Sequence, residues 1–231
     1  MPLTFLENDD QPSFNQTFAQ YAYFGLKGGV NFSYFRGEDA DPEIFWGSGS
    51  EQKPRIGFVG GAYSTIVLTK IIAVQPELLF SMMGTKYDWE EAGEYDYLVM
   101  KLNYIQLPVL LKAYIPLEGD IKPNIFVGGY VSYNVSSKYS NEWYLPSYGY
   151  GSGNIEEDID GNLTWSGSPV TTNKFDYGIS FGLGSDFIVK GYQLTLDARY
   201  SMGFAKLFTP DVGTEPDLKN GVFSIMVGFG F

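Results

Sequence analysis

The stretch FDYGISFGLG, Phe175 to Gly184, alternates strictly between two kinds of side chain. Four of its five odd positions are aromatic or leucine and the fifth is isoleucine, while every even position is small or charged. Successive side chains of a β-strand point to opposite faces of a sheet, so a period of two indicates a strand. The stretch therefore predicts a long strand with one wholly apolar face and one small, polar face.

The same alternation recurs along the chain and predicts eight strands. They lie at residues 22–35, 54–68, 70–84, 95–115, 122–137, 173–189, 191–205 and 219–231. The small and polar face suits the narrow interior of an eight-stranded barrel, which rows of Phe, Tyr and Leu would overfill. The apolar face then needs an apolar solvent, and the lipid bilayer is that solvent.

The links between the predicted strands alternate between short and long. Three short links lie at Thr69, at 116–121 and around Lys190 and Gly191, and four long ones at 36–53, 85–94, 138–172 and 206–218. Outer-membrane barrels divide their links in this way, with tight periplasmic turns and long outer loops. The sequence therefore predicts an all-β fold, an eight-stranded antiparallel up-and-down transmembrane β-barrel with short periplasmic turns and long extracellular loops. Both termini would be periplasmic, with residues 1–20 as an N-terminal extension and 21–231 as the barrel.

The composition argues against several classes of function. The chain contains neither histidine nor cysteine, so the commonest general base, the commonest metal ligand and any thiolate chemistry are missing. We therefore predict no enzymatic activity, no catalytic residue and no cofactor. The net charge of −12 disfavours nucleic acid as a partner, because binding a phosphate backbone needs clustered Lys and Arg.

Charged residues also fall on the predicted inner face of the strands. They are Lys27, Glu77, Asp176, Asp197 and Arg199. We expect them to pair and to fill the lumen rather than to line a pore or a proton path, because an unpaired buried charge is costly. The sequence does not decide whether Lys112 lies on the inner or the outer face, because the alternation slips near Pro108 and suggests a bulge there.

The long predicted loops are acidic. They hold 17 of the 27 Asp and Glu residues. Within EEDIDGNLT, Glu156 to Thr164, the residues Asp158, Asp160 and Asn162 alternate in the manner of a calcium loop. The glycine position and terminal Glu of an EF-hand are absent, so a solvated acidic loop is the favoured interpretation and calcium the alternative.

Several strand sequences together resemble the PorT-family outer-membrane β-barrels of Bacteroidetes. They include GLKGGVNFSYF at Gly25 to Phe35, PELLFSMMG at Pro76 to Gly84, YIQLPVLLKAYI at Tyr104 to Ile115 and the ending KNGVFSIMVGFGF. The resemblance implies export with a signal peptide and insertion by the barrel assembly machinery, guided by the last strand with Phe229 and Phe231 as the assembly signal. It also implies that some members serve type IX secretion. The start MPLTFLENDDQPSF lacks the features of a signal peptide, so we expect the numbering to be that of a processed chain.

Three functions remain open at this point. The first is a structural or accessory subunit of a larger outer-membrane assembly for secretion or nutrient uptake, with a filled lumen and protein partners in that complex. The second is a small passive, porin-like channel. The third is a surface adhesin that acts through the acidic extracellular loops. In each case the expected location is the bacterial outer membrane, with outer-membrane lipid and lipopolysaccharide around the wall.

Overall fold

The computed structural model describes residues 22–43, 49–116, 119, 121–165 and 167–231. Twelve strands follow one another along the chain: β1 (Ala22–Arg36), β2 (Ser50–Val67), β3 (Ile72–Glu91), β4 (Glu94–Tyr114), β5 (Ile121–Leu145), β6 (Gly151–Asp158), β7 (Thr164–Trp165), β8 (Ser168–Thr172), β9 (Phe175–Val189), β10 (Tyr192–Gly203), β11 (Phe208–Pro210) and β12 (Lys219–Gly230). Two short 3-10 helices lie at Glu38–Ala40 and Pro146–Tyr148.

Eight of these strands close into a ring. The order around it is β1, β2, β3, β4, β5, β9, β10 and β12, and every pairing is antiparallel. The first and last strands meet in a continuous ladder that runs from Gly25 opposite Gly230 to Arg36 opposite Lys219. The predicted antiparallel up-and-down barrel is confirmed.

The two faces of each barrel strand divide as the alternation predicts. On β9, Phe175, Tyr177 and Leu183 are exposed on the outside, whereas Ser180 and Asp186 are buried inside. The other strands repeat this division, so a continuous apolar wall surrounds the barrel and the polar side chains point into the lumen. Closure leaves no free strand edge within the ring.

The links at one end of the barrel are short, and we call this the turn end. The link between β9 and β10 is Lys190–Gly191, and the one between β2 and β3 covers residues 68–71. At the opposite end, the loop end, residues 37–49, 146–174 and 204–218 form long links. They contain β6 and a small sheet in the order β11, β8, β7.

One predicted loop is wrong over its whole length, and the predicted loops 36–53 and 138–172 are too long because β2 begins at Ser50 and β5 continues to Leu145. Residues 85–94 continue β3 and β4 as a paired hairpin, with Glu91 opposite Glu94. Only Ala92 and Gly93 connect the strands, with φ angles of 51° and 86°. Positive φ at both positions is typical of a two-residue hairpin turn. Strands β2 to β5 therefore project beyond the apolar wall at the loop end, and we call this part of the sheet the projecting sheet.

The predicted bulge at Pro108 is also wrong. Pro108 pairs regularly with Tyr130, and the register between β4 and β5 shifts instead at Asn103 and Tyr104. The alternation is therefore unbroken from Tyr104 onward, and it turns Lys112 into the lumen, where it is fully buried.

The predicted N-terminal extension, residues 1–20, lies outside the described residues. In the described ranges, no helix is long and apolar enough to cross a membrane.

Candidate functional site: the lumen and the loop end

A network of paired charges crosses the middle of the lumen. Arg199 of β10 donates from Nη1 to Glu77 Oε2 at 2.7 Å and from Nη2 to Glu77 Oε1 at 2.9 Å. Lys27 of β1 donates to Glu77 Oε1 and to Asp197 Oδ2, both at 2.7 Å. Since β3 and β10 stand on opposite sides of the eight-membered ring, the pair Glu77–Arg199 bridges the whole width of the barrel. The Arg199 guanidinium also lies 5.4 Å from the centre of the Phe126 ring.

A second charged cluster lies nearer the turn end. Lys112 Nζ lies 2.9 Å from Asp186 Oδ1 and 3.0 Å from Oδ2. Tyr114 donates to the same carboxylate at 2.7 Å, and Gln193 donates to it at 2.9 Å. Gln75 Nε2 donates to Glu77 at 2.6 Å while its Oε1 accepts from Lys112 at 3.3 Å. Gln75 therefore joins the two clusters into one network.

Asp176 lies apart from these clusters, closer to the loop end. Its Oδ2 accepts from Asn220 Nδ2 at 3.0 Å, and its Oδ1 accepts from the backbone N–H of Ala205 at 3.3 Å. The amide of Asn220 also reaches Tyr104 of β4 at 3.3 Å, across the barrel from β12. Asp176 thus holds the start of the link that follows β10 against the barrel.

An apolar cluster closes the lumen at the loop end, and we call it the cap. Its barrel-strand members are Phe35, Met83, Tyr87, Leu98, Met100, Leu102, Tyr104, Tyr139 and Val222, and its members from the small sheet and the links are Ile159, Val170, Leu207, Phe208 and Leu218. All are buried. The sequence pattern does not predict the cap, because its link residues fall in segments whose composition is typical of solvated loops.

Little space remains between the charged network and the cap. A cavity of about 10 Å³ lies among Val59, Ser81, Tyr130 and Arg199, which is room for roughly one water molecule. Side chains therefore meet across the lumen at the charged network and again at the cap, as an eight-stranded barrel allows.

The link after β5 is fastened by Asp160. Its Oδ1 accepts from the backbone N–H of Thr172 at 2.7 Å, and its Oδ2 pairs with Lys174 at 3.0 Å. Partial burial raises the pKa of this carboxyl, but the Thr172 and Lys174 contacts outweigh burial and hold the pKa below its usual range. Among the described residues no group of three acids is placed to hold a metal, and Asn162 donates to the backbone carbonyl of Asp158 at 3.0 Å. Asp160 and the Asn162 amide thus fasten the link, and calcium binding by Asp158, Asp160 and Asn162 stays a prediction.

These features, a closed antiparallel ring with an apolar exterior and a filled polar interior, agree with a family comparison. Residues 14–209 match the family described as outer membrane protein beta-barrel domain. The chain belongs to this family. It is therefore an integral outer-membrane β-barrel protein, and the apolar wall faces lipid.

Solved structures with similarity to this outer-membrane β-barrel protein include Ail, the attachment invasion locus protein of Yersinia pestis, with 12% identity, a TM-score of 0.38 and coverage of 91% of this chain and 99% of Ail. OprG from Pseudomonas aeruginosa shows 14% identity, a TM-score of 0.46 and coverage of 91% and 95%. Neisserial surface protein A shows 13% identity, a TM-score of 0.41 and coverage of 90% and 97%. A search of curated proteins gave no match.

The outer-membrane β-barrel protein brings four of the five predicted lumen charges into one cluster, namely Lys27, Glu77, Asp197 and Arg199. The sequence leaves the face of Lys112 open, and it does not predict the other members of its cluster, Asp186, Gln75 and Gln193. Asp186 was detectable, because it continues the inward phase of β9 from Asp176. Two aromatic residues near strand ends, Tyr87 and Tyr114, also point inward rather than to the membrane interface.

Phe229 and Phe231 lie at the seam of the barrel, where the first strand β1 pairs with the last strand β12. Phe229 is exposed on the outer wall, and Phe231 is exposed beyond the end of β12. The backbones of Phe231 and Phe24 exchange hydrogen bonds of 2.8 and 3.2 Å, so pairing continues to the last residue. The role of both residues as an assembly signal stays a prediction.

Proposed function

We propose that this outer-membrane β-barrel is an accessory subunit of a larger outer-membrane assembly, with its loop end outside the cell and its turn end and both termini in the periplasm. The observation that carries the proposal is the filled lumen. Because side chains occupy the interior from the Lys112 cluster to the cap, the surfaces left for function are the lipid-facing wall and the loop end. A subunit that binds other proteins needs only these surfaces.

Strand β6, which extends the projecting sheet beyond β5, offers such a binding surface. This strand pairs with β5 on one side, from Lys138 opposite Asp158 to Leu145 opposite Gly151, and ends the sheet on the other. Seven of its eight residues are exposed. An uncovered strand edge presents unpaired N–H and C=O groups, which an extended segment of another protein can bind by adding a strand.

Assignment to a narrower family supports the same accessory role. We infer a PorT-type barrel of Bacteroidetes, associated with secretion, from the strand sequences GLKGGVNFSYF and YIQLPVLLKAYI and from the KNGVFSIMVGFGF ending. In this role the barrel anchors the projecting sheet at the cell surface, where components of the assembly dock.

Site-specific cross-linking in native membranes tests the proposal. A photo-reactive amino acid at Asn154 of β6 is expected to give a discrete adduct with one membrane protein, identified by mass spectrometry. The matched control is Val212, which is 77% exposed on the link after β10 and should give no such adduct. A chain that is recovered alone in gentle detergent and forms no adduct from Asn154 would contradict the accessory-subunit role.

A surface adhesin is the second candidate. It is favoured by the exposed acids of the projecting sheet, including Glu90, Glu142 and Glu156. An adhesin would bind a partner outside the cell, so its adduct from Asn154 would appear only after that partner is added to intact cells.

A further inference from the structure

The basic residues divide among three regions of the barrel. Of the 15 Lys and Arg residues, four are buried in the lumen, namely Lys27, Arg55, Lys112 and Arg199. Three lie in the short turns or next to them: Lys70, Lys122 and Lys190. The other eight occur once for each barrel strand, at or next to its loop end or, on β2 to β5, three to seven residues inside that end: Arg36, Lys53, Lys86, Lys101, Lys138, Lys174, Lys206 and Lys219. One cation per strand at this end forms a basic girdle around the barrel.

The girdle is densest on β2 to β5. Lys53 stands directly opposite Lys86, and Lys101 stands directly opposite Lys138. Lys86 is also the diagonal neighbour of Lys101, because it pairs with Val99. Like charges directly across two strands destabilise a sheet. A local conflict of this kind is typical of a functional site, and an anionic ligand would relieve it.

Neighbouring acids balance only part of this row. Lys53 lies 3.1 Å from Asp88, and Lys101 lies 2.7 Å from Glu156. Lys86 and Lys138 form no ion pair within 4.0 Å with the described residues, although Asp158 of β6 stands directly opposite Lys138 in the ladder. Lys138 acts on Glu156 through space only, where together with Lys101 it lowers the pKa of that carboxyl. The site therefore centres on Lys86, Lys101 and Lys138.

The lipid-facing wall continues directly below these lysines. On β4, the exposed residue Ile105 lies four residues from Lys101 towards the turn end. On β5, the residues exposed beyond Lys138 in the same direction are Val135, Tyr133 and Val131. At about 3.4 Å per residue, the distance from Lys101 to the first apolar side chain is roughly 13 Å along the strand. An anion held by the row therefore lies where acyl chains end.

An aromatic patch stands on the other side of the row. The rings of Tyr95 and Tyr97 stack at 4.9 Å with an angle of 15° between their planes, and Tyr144 lies 6.0 Å from Tyr95. The Tyr97 hydroxyl donates to Glu90 at 2.8 Å. Tyr95 also borders an open hollow of about 270 Å³, lined besides by Glu142, Trp143, Ser152, Gly153 and Asn154. Aromatic faces beside hydroxyl, amide and carboxylate groups suit a sugar, which has both apolar C–H faces and hydroxyls.

We propose that the outer face of β3 to β6 binds a phosphorylated glycolipid of the outer leaflet. Its acyl chains lie on the wall of β4 and β5, its phosphates contact Lys86, Lys101 and Lys138, and its sugars lie against Tyr95, Tyr97 and Tyr144. The apolar wall, the lysines and the aromatic patch follow one another along the strands in the order in which acyl chains, phosphates and sugars follow in such a lipid. The inference rests on the proposed placement of the loop end outside the cell.

The test measures lipid binding by the purified full chain in detergent. The probe is a rough-type lipopolysaccharide with two lipid A phosphates and inner-core sugars. Phosphatidylglycerol and the dephosphorylated probe serve as comparison lipids. Removing a lysine at an anionic lipid surface weakens binding about fivefold. The triple variant K86Q/K101Q/K138Q should therefore bind the probe on the order of 100-fold more weakly.

The matched control is the triple variant K174Q/K206Q/K219Q. It removes the same charge from the same girdle elsewhere on the barrel, and it should lose less than about fivefold. Equal losses in both triples, or equal affinity for phosphatidylglycerol and for the probe, would overturn the site. If the first triple fails to show heat-modifiable gel migration, the single variant Lys138→Gln should still lose about fivefold, and unchanged affinity would contradict the proposal.

A double variant tests the proposed contact between the sugars and the aromatic patch. Tyr95→Ala with Tyr97→Ala should weaken binding of the probe and leave binding of lipid A without core sugars unchanged. Equal effects on both lipids would show that the aromatic patch does not contact sugars and would overturn this part of the proposal. All these measurements use the isolated chain, so their outcome is independent of whether a protein partner is found on β6.

Discussion

Glu77 is the residue on which the interior depends most. Its two oxygens accept from Lys27, Gln75 and both terminal nitrogens of Arg199, and its side chain is fully buried. A buried carboxylate with this many charge-assisted partners holds three strands together across the lumen.

Replacing this carboxylate should destabilise the barrel strongly. Glu77→Gln removes the carboxylate closest to both Lys27 and Arg199 and leaves them Asp197 at 2.7 and 3.9 Å, and breaking a buried pair costs about 3–5 kcal/mol. The urea midpoint of unfolding in detergent, followed by heat-modifiable gel migration, should fall accordingly. Glu156→Gln is the control, because it removes a carboxylate from a solvent-exposed pair, which contributes little to stability. Matching midpoints for the two variants would refute the dominant role of Glu77.

Individual lumen residues could be predicted where the phase of a strand was clear. Asp176, Asp197 and Arg199 follow from the alternation of β9 and β10. Lys112 could not be placed, because Pro108 in an otherwise alternating strand suggests a bulge. In the structure Pro108 fits the regular register, and the shift at Asn103 and Tyr104 has no marker in the sequence. Which charge pairs with which also stays hidden, since the pairs join strands far apart in the chain.

At the scale of the element, the inward glycines of β9 decide what else fits inside. A Cβ added at Gly182 would lie 2.1 Å from the carbonyl oxygen of Ala198 and 2.7 Å from Phe126 Cζ. The ring of Phe126 can therefore stack on Arg199 only because Gly182, its partner on the neighbouring strand β9, carries no side chain.

A matched pair of glycine substitutions tests this division of faces. Gly182→Val should disturb packing around Phe126, and overpacking of this kind costs about 1–3 kcal/mol. Gly129→Val adds the same side chain on the outer face of β5, where the nearest heavy atom to a new Cβ is 3.8 Å away. We expect a lower yield of heat-modifiable protein for the first variant and a normal yield for the second. A normal yield for both would contradict a tightly filled lumen at this level.

The hairpin of β3 and β4 shows where element boundaries escape sequence reasoning. Residues 85–94 contain four acids and a glycine, a composition typical of loops. The alternation nevertheless continues, with Tyr87 buried inside and Asp88 outside. Tyr87 packs in the cap, so contacts with distant links extend the strands beyond the wall.

At the scale of the whole molecule, closure and the apolar wall follow from the sequence, whereas the cap does not. Strand number and orientation need only the local period of two and the lengths of the links. The cap requires that Ile159, Val170 and Phe208 fold back onto the inner faces of β3 and β4. No local pattern marks an isoleucine in an acidic stretch as part of an apolar core.

The filled lumen leads to a prediction about ion flow. In planar bilayers the purified chain should give no discrete conductance steps above the bare membrane, because side chains from opposite strands meet across the barrel. An open porin inserted into the same membrane is the positive control. Reproducible steps at low voltage would contradict the filled lumen and favour the passive channel.

The seam between β1 and β12 has a kinetic consequence. Gly25 pairs with Gly230, so the closing ladder joins residues from nearly opposite ends of the described chain. Contacts at such sequence separation carry a large loop-closure entropy and form late. Until they form, both outer strands of the unfinished sheet expose backbone N–H and C=O groups, which the hydrocarbon of the bilayer cannot hydrogen-bond. Closure is therefore expected to be the slow, rate-limiting event of folding, and catalysts of barrel insertion would act by holding these two strands together.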